Sequence, residues 1–155
     1  MARGRLSRVS PEEAYAELTS GAILVDIRPA AQRAASGEIP GSWIVERNHL
    51  EWRFDPASSA RLPFVSGYGL RVIVICAEGY TSSLAAAALQ DIGLSRATDV
   101  TGGYAAWTEA GLPTAAAAEH TAALAPGASH GGDEPGGRPA LGVVSFVEAR
   151  EAVPR

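Results

Sequence analysis

Arg71-Val72-Ile73-Val74-Ile75-Cys76-Ala77-Glu78-Gly79-Tyr80-Thr81-Ser82 runs an unbroken apolar stretch into a short polar loop, and its reading decides the fold. A strand with one solvent face would alternate apolar and polar residues. Val72, Ile73, Val74 and Ile75 do not alternate, so residues 71–75 predict a central strand buried on both faces of a parallel sheet. Beyond the loop, the alanine-rich residues 83–92 predict a helix, which Gly93 stops. The unit therefore sets a lone thiol, Cys76, on the loop between a strand end and a helix start, where function gathers in open parallel sheets.

Working outward, the same alternation of elements recurs. Ser10-Pro11-Glu12-Glu13 carries a helix start, with Ser10 as cap, Pro11 at the first helical position and Glu13 to close a capping box; the helix should reach about residue 20, before Gly21. Ala22-Ile23-Leu24-Val25-Asp26-Ile27 predicts a second buried strand, one that ends in a carboxylate. Residues 29–36 suit a short helix, Ile39-Pro40-Gly41 a turn, and Trp43-Ile44-Val45 another strand. Between 46 and 70, Leu50, Trp52, Phe54, Leu62 and Phe64 offer apolar anchors, while Pro56, Pro63 and Gly67 interrupt any long element. Downstream, residues 97–100 predict a last strand, Gly102-Gly103 a turn and 104–110 a short helix, with Gly111-Leu112-Pro113 closing the domain. Strand and helix signals in alternation argue an α/β parallel sheet.

From residue 114 the composition turns to alanine, glycine and proline, with Phe146 the single aromatic. Such a segment lacks the side chains to offset ordering entropy. The expected organisation is a domain over 1–113 and a low-complexity, mostly disordered tail over 114–155, in which 141–147 is the one stretch apolar enough to dock.

Composition narrows the function. At 155 residues with 46% hydrophobic side chains, the chain can bury one core but not two ordinary α/β domains. A net charge of -4 with both signs interspersed gives no basic stripe for phosphate neutralisation, so nucleic acid is not an expected partner. No run approaches the roughly 20 apolar residues that span a bilayer, and the amino end lacks an apolar core of the kind a secretory leader carries; a soluble, cytoplasmic protein with no membrane partner is expected. One cysteine excludes an internal disulfide, a four-thiolate zinc site and a two-cysteine redox motif.

A free thiol of pKa about 8.5 is only about 3% thiolate at neutral pH. Making the thiolate dominant takes about 2.7 kcal/mol, more than the roughly 0.3–1 kcal/mol of a helix dipole, so loop amides must donate to sulfur directly. Gly79 can adopt the positive φ that turns successive N–H groups inward as an anion nest, and Thr81 and Ser82 add hydroxyls at the helix entrance. The same nest would hold a persulfide anion.

These residues resemble the single-domain rhodanese family over about residues 6–113. Asp26-Ile27-Arg28 is similar to the family's Asp-x-Arg, Gly37-Glu38-Ile39-Pro40-Gly41-Ser42 to its Gly-His-Ile-Pro-Gly-Ala turn, and residues 76–82 to its active-site loop; Thr101-Gly102-Gly103-Tyr104-Ala105-Ala106-Trp107 and Gly111-Leu112-Pro113 resemble its last turn and exit. The resemblance implies a five-stranded parallel sheet with helices on both faces and a ping-pong sulfur transfer. Cys76 would be the nucleophile, and Ala77, Glu78, Gly79, Tyr80, Thr81 and Ser82 the cradle for the substrate. The donor implied is thiosulfate or a low-molecular-weight persulfide; the acceptor is cyanide, a small thiol or a protein thiol. No cofactor or metal is implied. Related folds that bind phosphate have a longer loop with an arginine at its end, where this chain has Ser82, so phosphatase chemistry is disfavoured.

The loop departs from the family pattern in charge. Active thiosulfate enzymes often carry arginine or lysine there, and this loop has Glu78. Two unit charges about 7 Å apart interact by roughly 0.6 kcal/mol in water, a penalty felt most by a dianionic donor. Arg28, Arg47 or Arg53 could supply the missing cation, Arg47 being the favoured one; Asp26 and Arg28 read better as an architectural pair. The alternative is a non-catalytic rhodanese module that binds a partner, through the tail or the Trp52 segment. A redox sensor would lack a second cysteine to capture its sulfenic acid. His49 reads as a solvated residue, His120 and His130 lack ligand spacing, and Trp43, Trp52 and Trp107 read as packing residues.

Overall fold

The computed structural model describes residues 1–117. Its sheet has four parallel strands in the order β2-β1-β3-β4: β1 (Ile23–Asp26), β2 (Trp43–Ile44), β3 (Val72–Ile75) and β4 (Thr98–Asp99). The expected count of five is corrected to four. Val9 takes the fifth position next to β4 with a single parallel bridge to Val100, too short to count as a strand. β1 and β3 pair along their full lengths, from Ile23 with Val72 to Asp26 with Ile75.

Side chains alternate across this sheet. Val25, Val72 and Val74 meet Leu50 and Phe54 of α3 (Leu50–Phe54) and Ala85, Ala86 and Leu89 of α4 (Thr81–Asp91) on one face. Leu24, Ile73 and Ile75 meet Ala14 of α1 (Pro11–Leu18) and Tyr104 and Trp107 of α5 (Gly103–Glu109) on the other. Alternation with no polar face is what a doubly covered sheet requires. The small alanines of α4 let that helix lie close to the sheet.

Local chemistry sets the boundaries. Ser10 Oγ accepts from the Glu13 amide at 3.1 Å and the Glu13 carboxylate accepts from the Ser10 amide at 2.8 Å, so the capping box forms at α1. Residues 29–36 yield α2 (Ala30–Ser36), closed by Gly37 at φ 95°. The segment 46–70 holds a 3-10 turn (Arg47–His49) and α3, pinned by the wholly buried Leu50, Phe54 and Leu62. Past the expected boundary at 113, Ala115 still bridges antiparallel to Glu38 and Ala117 is buried. The rest of the tail, with the apolar 141–147, His120 and His130, lies outside the described residues. Among the described residues, no helix is long and apolar enough to cross a membrane.

Candidate active site

The strand order reverses between β1 and β3, which send their chains to opposite edges of the sheet, and that is where a crevice opens in such folds. Asp26-Ile27-Arg28 leaves the end of β1 there, and Cys76 leaves the end of β3. Cys76 is 7% exposed. Its Sγ accepts from the amides of Gly79 at 3.2 Å and Ser82 at 3.3 Å. Gly79 has φ 83°, which aims its N–H at sulfur and its carbonyl away. The nest expected from the glycine spacing is therefore built, with the Ser82 amide at the first turn of α4 as its second donor.

Two structures hold the loop. The start of α5 lies against it: the Tyr104 amide donates to Cys76 O at 2.8 Å and the Ala105 amide to Ala77 O at 3.0 Å. Only a glycine allows that approach, since a Cβ on Gly103 would lie 2.5 Å from Cys76 O and 2.7 Å from the Gly79 nitrogen. From the other side, the guanidiniums of Arg3 (3.1 Å) and Arg8 (2.8 Å) both donate to Gly79 O. Arg8 also makes a two-pronged pair with Asp99, Nε to Oδ1 at 2.8 Å and Nη2 to Oδ2 at 2.9 Å. Hydrogen bonding to Asp99 holds the Arg8 guanidinium proton more tightly than usual, outweighing partial desolvation. Asp99 in turn accepts the Ser82 hydroxyl proton at 2.7 Å, and Ser82 Oγ lies 3.3 Å from Cys76 Sγ as acceptor of the thiol hydrogen. Arg3, Arg8 and Asp99 were invisible to sequence reading. The one available signal was a carboxylate, Asp99, inside the predicted last strand over 97–100.

A cleft of about 690 Å³ opens over the sulfur, lined by Cys76, Ala77, Glu78, Tyr80 and Thr81 of the loop, Arg28 after β1, and Glu46 and Arg47 after β2. Arg47 does reach the cleft, but its guanidinium pairs with Glu51 at 2.6 Å. Arg28 is buried, gripped by Asp26 at 2.7 Å, donates to Gly37 O at 2.8 Å and stacks 3.9 Å from the Tyr104 ring centroid. That is an architectural set of contacts, although Arg28 also forms part of the cleft floor. Arg53 lies elsewhere, buried, with Nη1 donating to Ala60 O at 2.7 Å, and burial lowers its proton affinity. Both arginines that line the cleft are held by carboxylates, while Glu46 and Glu78 stand exposed on its rim. His49 sits beside Trp52, ring centroids 5.9 Å apart, and does not line the cleft. Trp43 packs on Phe64 and Trp107 is wholly buried with its Nε1 donating to Pro113 O at 3.0 Å, as packing residues should.

A thiol cradled by loop amides at the switch point of a short parallel sheet defines a class, and comparison with known proteins gives it a family. Residues 10–110 match the rhodanese-like domain, and the chain belongs to that family. Thiosulfate sulfurtransferase GlpE of Stutzerimonas stutzeri is 35% identical over 100 residues, 64% of this chain and 83% of its own length; GlpE of Pseudomonas entomophila is 34% identical over the same span. Among solved structures, a Rhodopseudomonas palustris protein of unknown function, described as a "Possible Tyrosine Phosphatase", is 33% identical with a TM-score of 0.66 over 74% of this chain and 88% of its own. A thiosulfate sulfurtransferase from Pseudomonas aeruginosa, 24% identical, shares the fold at a TM-score of 0.57 over 71% of this chain and 19% of its own. The fold is the rhodanese α/β fold, and the family is one of sulfurtransferases.

Proposed function

We propose that this protein moves a sulfane sulfur from thiosulfate or a low-molecular-weight persulfide to a thiol or cyanide through a persulfide on Cys76, and that it works in the cytoplasm. The observation that carries this reading is the pair of amides, Gly79 and Ser82, directed at a sulfur that lines the cleft. The Cys76 thiolate attacks the outer sulfur of the donor; a new S–S bond forms, the donor's S–S bond breaks, and its electron pair leaves with sulfite or with a thiolate. An acceptor nucleophile then attacks the outer persulfide sulfur and returns the Cys76 thiolate. The nest serves both stages, since each places an anionic sulfur where N–H groups point. Ala77, Glu78, Tyr80, Thr81 and Arg47 would contact the donor. Arg47, already balanced by Glu51, would orient it more than attract it.

Intact-mass measurement after incubation with thiosulfate or glutathione persulfide tests the reading. A gain of about 32 Da that requires Cys76, is absent from Cys76→Ser and is removed by cyanide as thiocyanate is the expected result, because only a reactive thiolate forms a transferable persulfide. No adduct with either donor on a folded protein with a free thiol overturns it. A second reading, a non-catalytic module that binds a protein partner, draws support from Trp52, 42% exposed in the segment after β2. The same experiment separates the two. Hydrolysis of a phosphate monoester is not expected, as Ser82 stands where a phosphate-binding loop would need its arginine.

A further inference from the structure

The hydroxyl proton of Ser82 has two acceptors within reach. In the thiol form Ser82 gives it to Asp99 Oδ2 at 2.7 Å and receives the hydrogen of Cys76 at 3.3 Å. Once Cys76 ionises, sulfur has nothing to donate and needs donors, and the same hydroxyl must turn toward it. Asp99 is wholly buried, so a carboxylate there would keep the hydroxyl unless another partner satisfied it. Arg8 is that partner, reaching both carboxylate oxygens, and its Nη2 also grips the carbonyl of Gly79, whose amide faces sulfur. We propose that Arg8 is a positioning residue for Cys76, acting through Asp99: it balances the buried carboxylate so that the Ser82 hydroxyl is free to serve the ionised sulfur. The inference rests on the reading of Cys76 as the sulfur carrier.

The other charged groups around the sulfur are Glu78 on its own loop, Arg28 with Asp26 from β1, and Glu46 and Arg47 with Glu51 from the segment after β2. Tyr80 and Tyr104 are the nearby phenols, and Arg3 touches the far side of the loop at Gly79 O. All of these stay constant when only Arg8 and Asp99 change. The electrostatic signs are then fixed. Without Arg8, an unbalanced carboxylate two hydrogen bonds from sulfur opposes the thiolate and retains the hydroxyl; without Asp99, an arginine alone favours the thiolate.

The test is the rate of iodoacetamide alkylation of Cys76 against pH, in the full-length chain, for wild type, Arg8→Gln, Arg8→Lys, Asp99→Asn and Arg8→Gln/Asp99→Asn. The profile of Arg8→Gln is expected to move up by about one pH unit and that of Asp99→Asn to move down, with the double variant within about half a unit of wild type. Arg8→Lys should fall between wild type and Arg8→Gln. A merely structural Arg8 would lower the melting temperature and leave every profile in place, which overturns the proposal; so does an upward move in both Asp99→Asn and the double variant, the mark of a loosened loop. If Arg8→Gln does not fold, Asp99→Asn and the double variant decide, since neither leaves a buried carboxylate unbalanced. Persulfide formation by the wild type is measured separately. Its failure would remove the transfer reading, while the alkylation profiles still decide the role of Arg8.

Discussion

Glu78 stands exposed on the rim of the cleft, next to loop residues that face the sulfur, and both arginines in the lining are bound by carboxylates. On the proposed function, a donor would enter past a carboxylate, and the two arginines that line the cleft are already balanced. At about 7 Å in water each negative charge on the donor is opposed by roughly 0.6 kcal/mol, so neutralising Glu78 should relieve a dianion by about 1.2 kcal/mol. Glu78→Gln is accordingly expected to raise kcat/KM for thiosulfate about sevenfold, and for an organic thiosulfonate monoanion by only about the square root of that. Equal gains for the two donors in steady-state assays would remove the charge argument. Glu78 and Gly79 were legible in the sequence because loop residues act where they lie. Arg8 and Asp99 were not, since 91 positions separate them and tertiary contacts, the Val9–Val100 bridge and the Thr98 hydroxyl on Ser7 O, bring them together. Gly103 lies between these cases. Its spacing marked a turn, but the reason for glycine is the carbonyl of Cys76, 2.5 Å from any added Cβ.

Helix α1 shows how far local rules carry an element. Its capping box was written in Ser10-Pro11-Glu12-Glu13 and forms as read, so Ser10→Ala should cost about 1 kcal/mol in urea unfolding. Segment 46–70 resisted the same treatment because its short elements have no period to read; burial of Leu50 and Phe54 against α4 fixes them, and that is tertiary information. Near the other end of α1, Glu17 takes Arg71 at 2.8 Å and ties the helix to the residue before β3. Hydrogen bonding to Arg71 holds the Glu17 carboxyl below its ordinary value of 4.5, against a smaller desolvation effect. A carboxyl lowered in the fold stabilises above its unfolded value and loses that contribution as pH falls through the folded one. Glu17→Gln should thus melt lower than wild type at pH 7, by less than about 1 kcal/mol because the pair is partly solvated, and the two should converge on acidification below about pH 4. A gap that persists at pH 2.5 would show that packing, not charge, sets the difference.

Across the described residues, the first and last segments close the fold from outside, one on the cysteine loop and one on the turn after α2. Residues 2–8 bring Arg3 and Arg8 to Gly79, and the residues after α5 return to the turn that follows α2. Three hydrogen bonds make that second closure: Trp107 Nε1 to Pro113 O at 3.0 Å, and the reciprocal main-chain pair between Glu38 and Ala115, both at 2.8 Å. Trp107 is wholly buried, so losing its acceptor strands a donor in the core. We propose that the domain closes by residue 117, slightly beyond the boundary that Gly111-Leu112-Pro113 suggested. A chain cut after Ala117 keeps all three bonds and should melt within about 2 °C of the full chain, whereas one cut after Leu112 loses about 1 kcal/mol for each and should melt lower by about 10 °C or more. Persulfide formation on Cys76 at low temperature should survive the first cut unchanged. If the chain cut after Ala117 melts as early as the shorter one, the residues beyond 117 carry stability that the three bonds do not, and the domain boundary moves toward the carboxyl end.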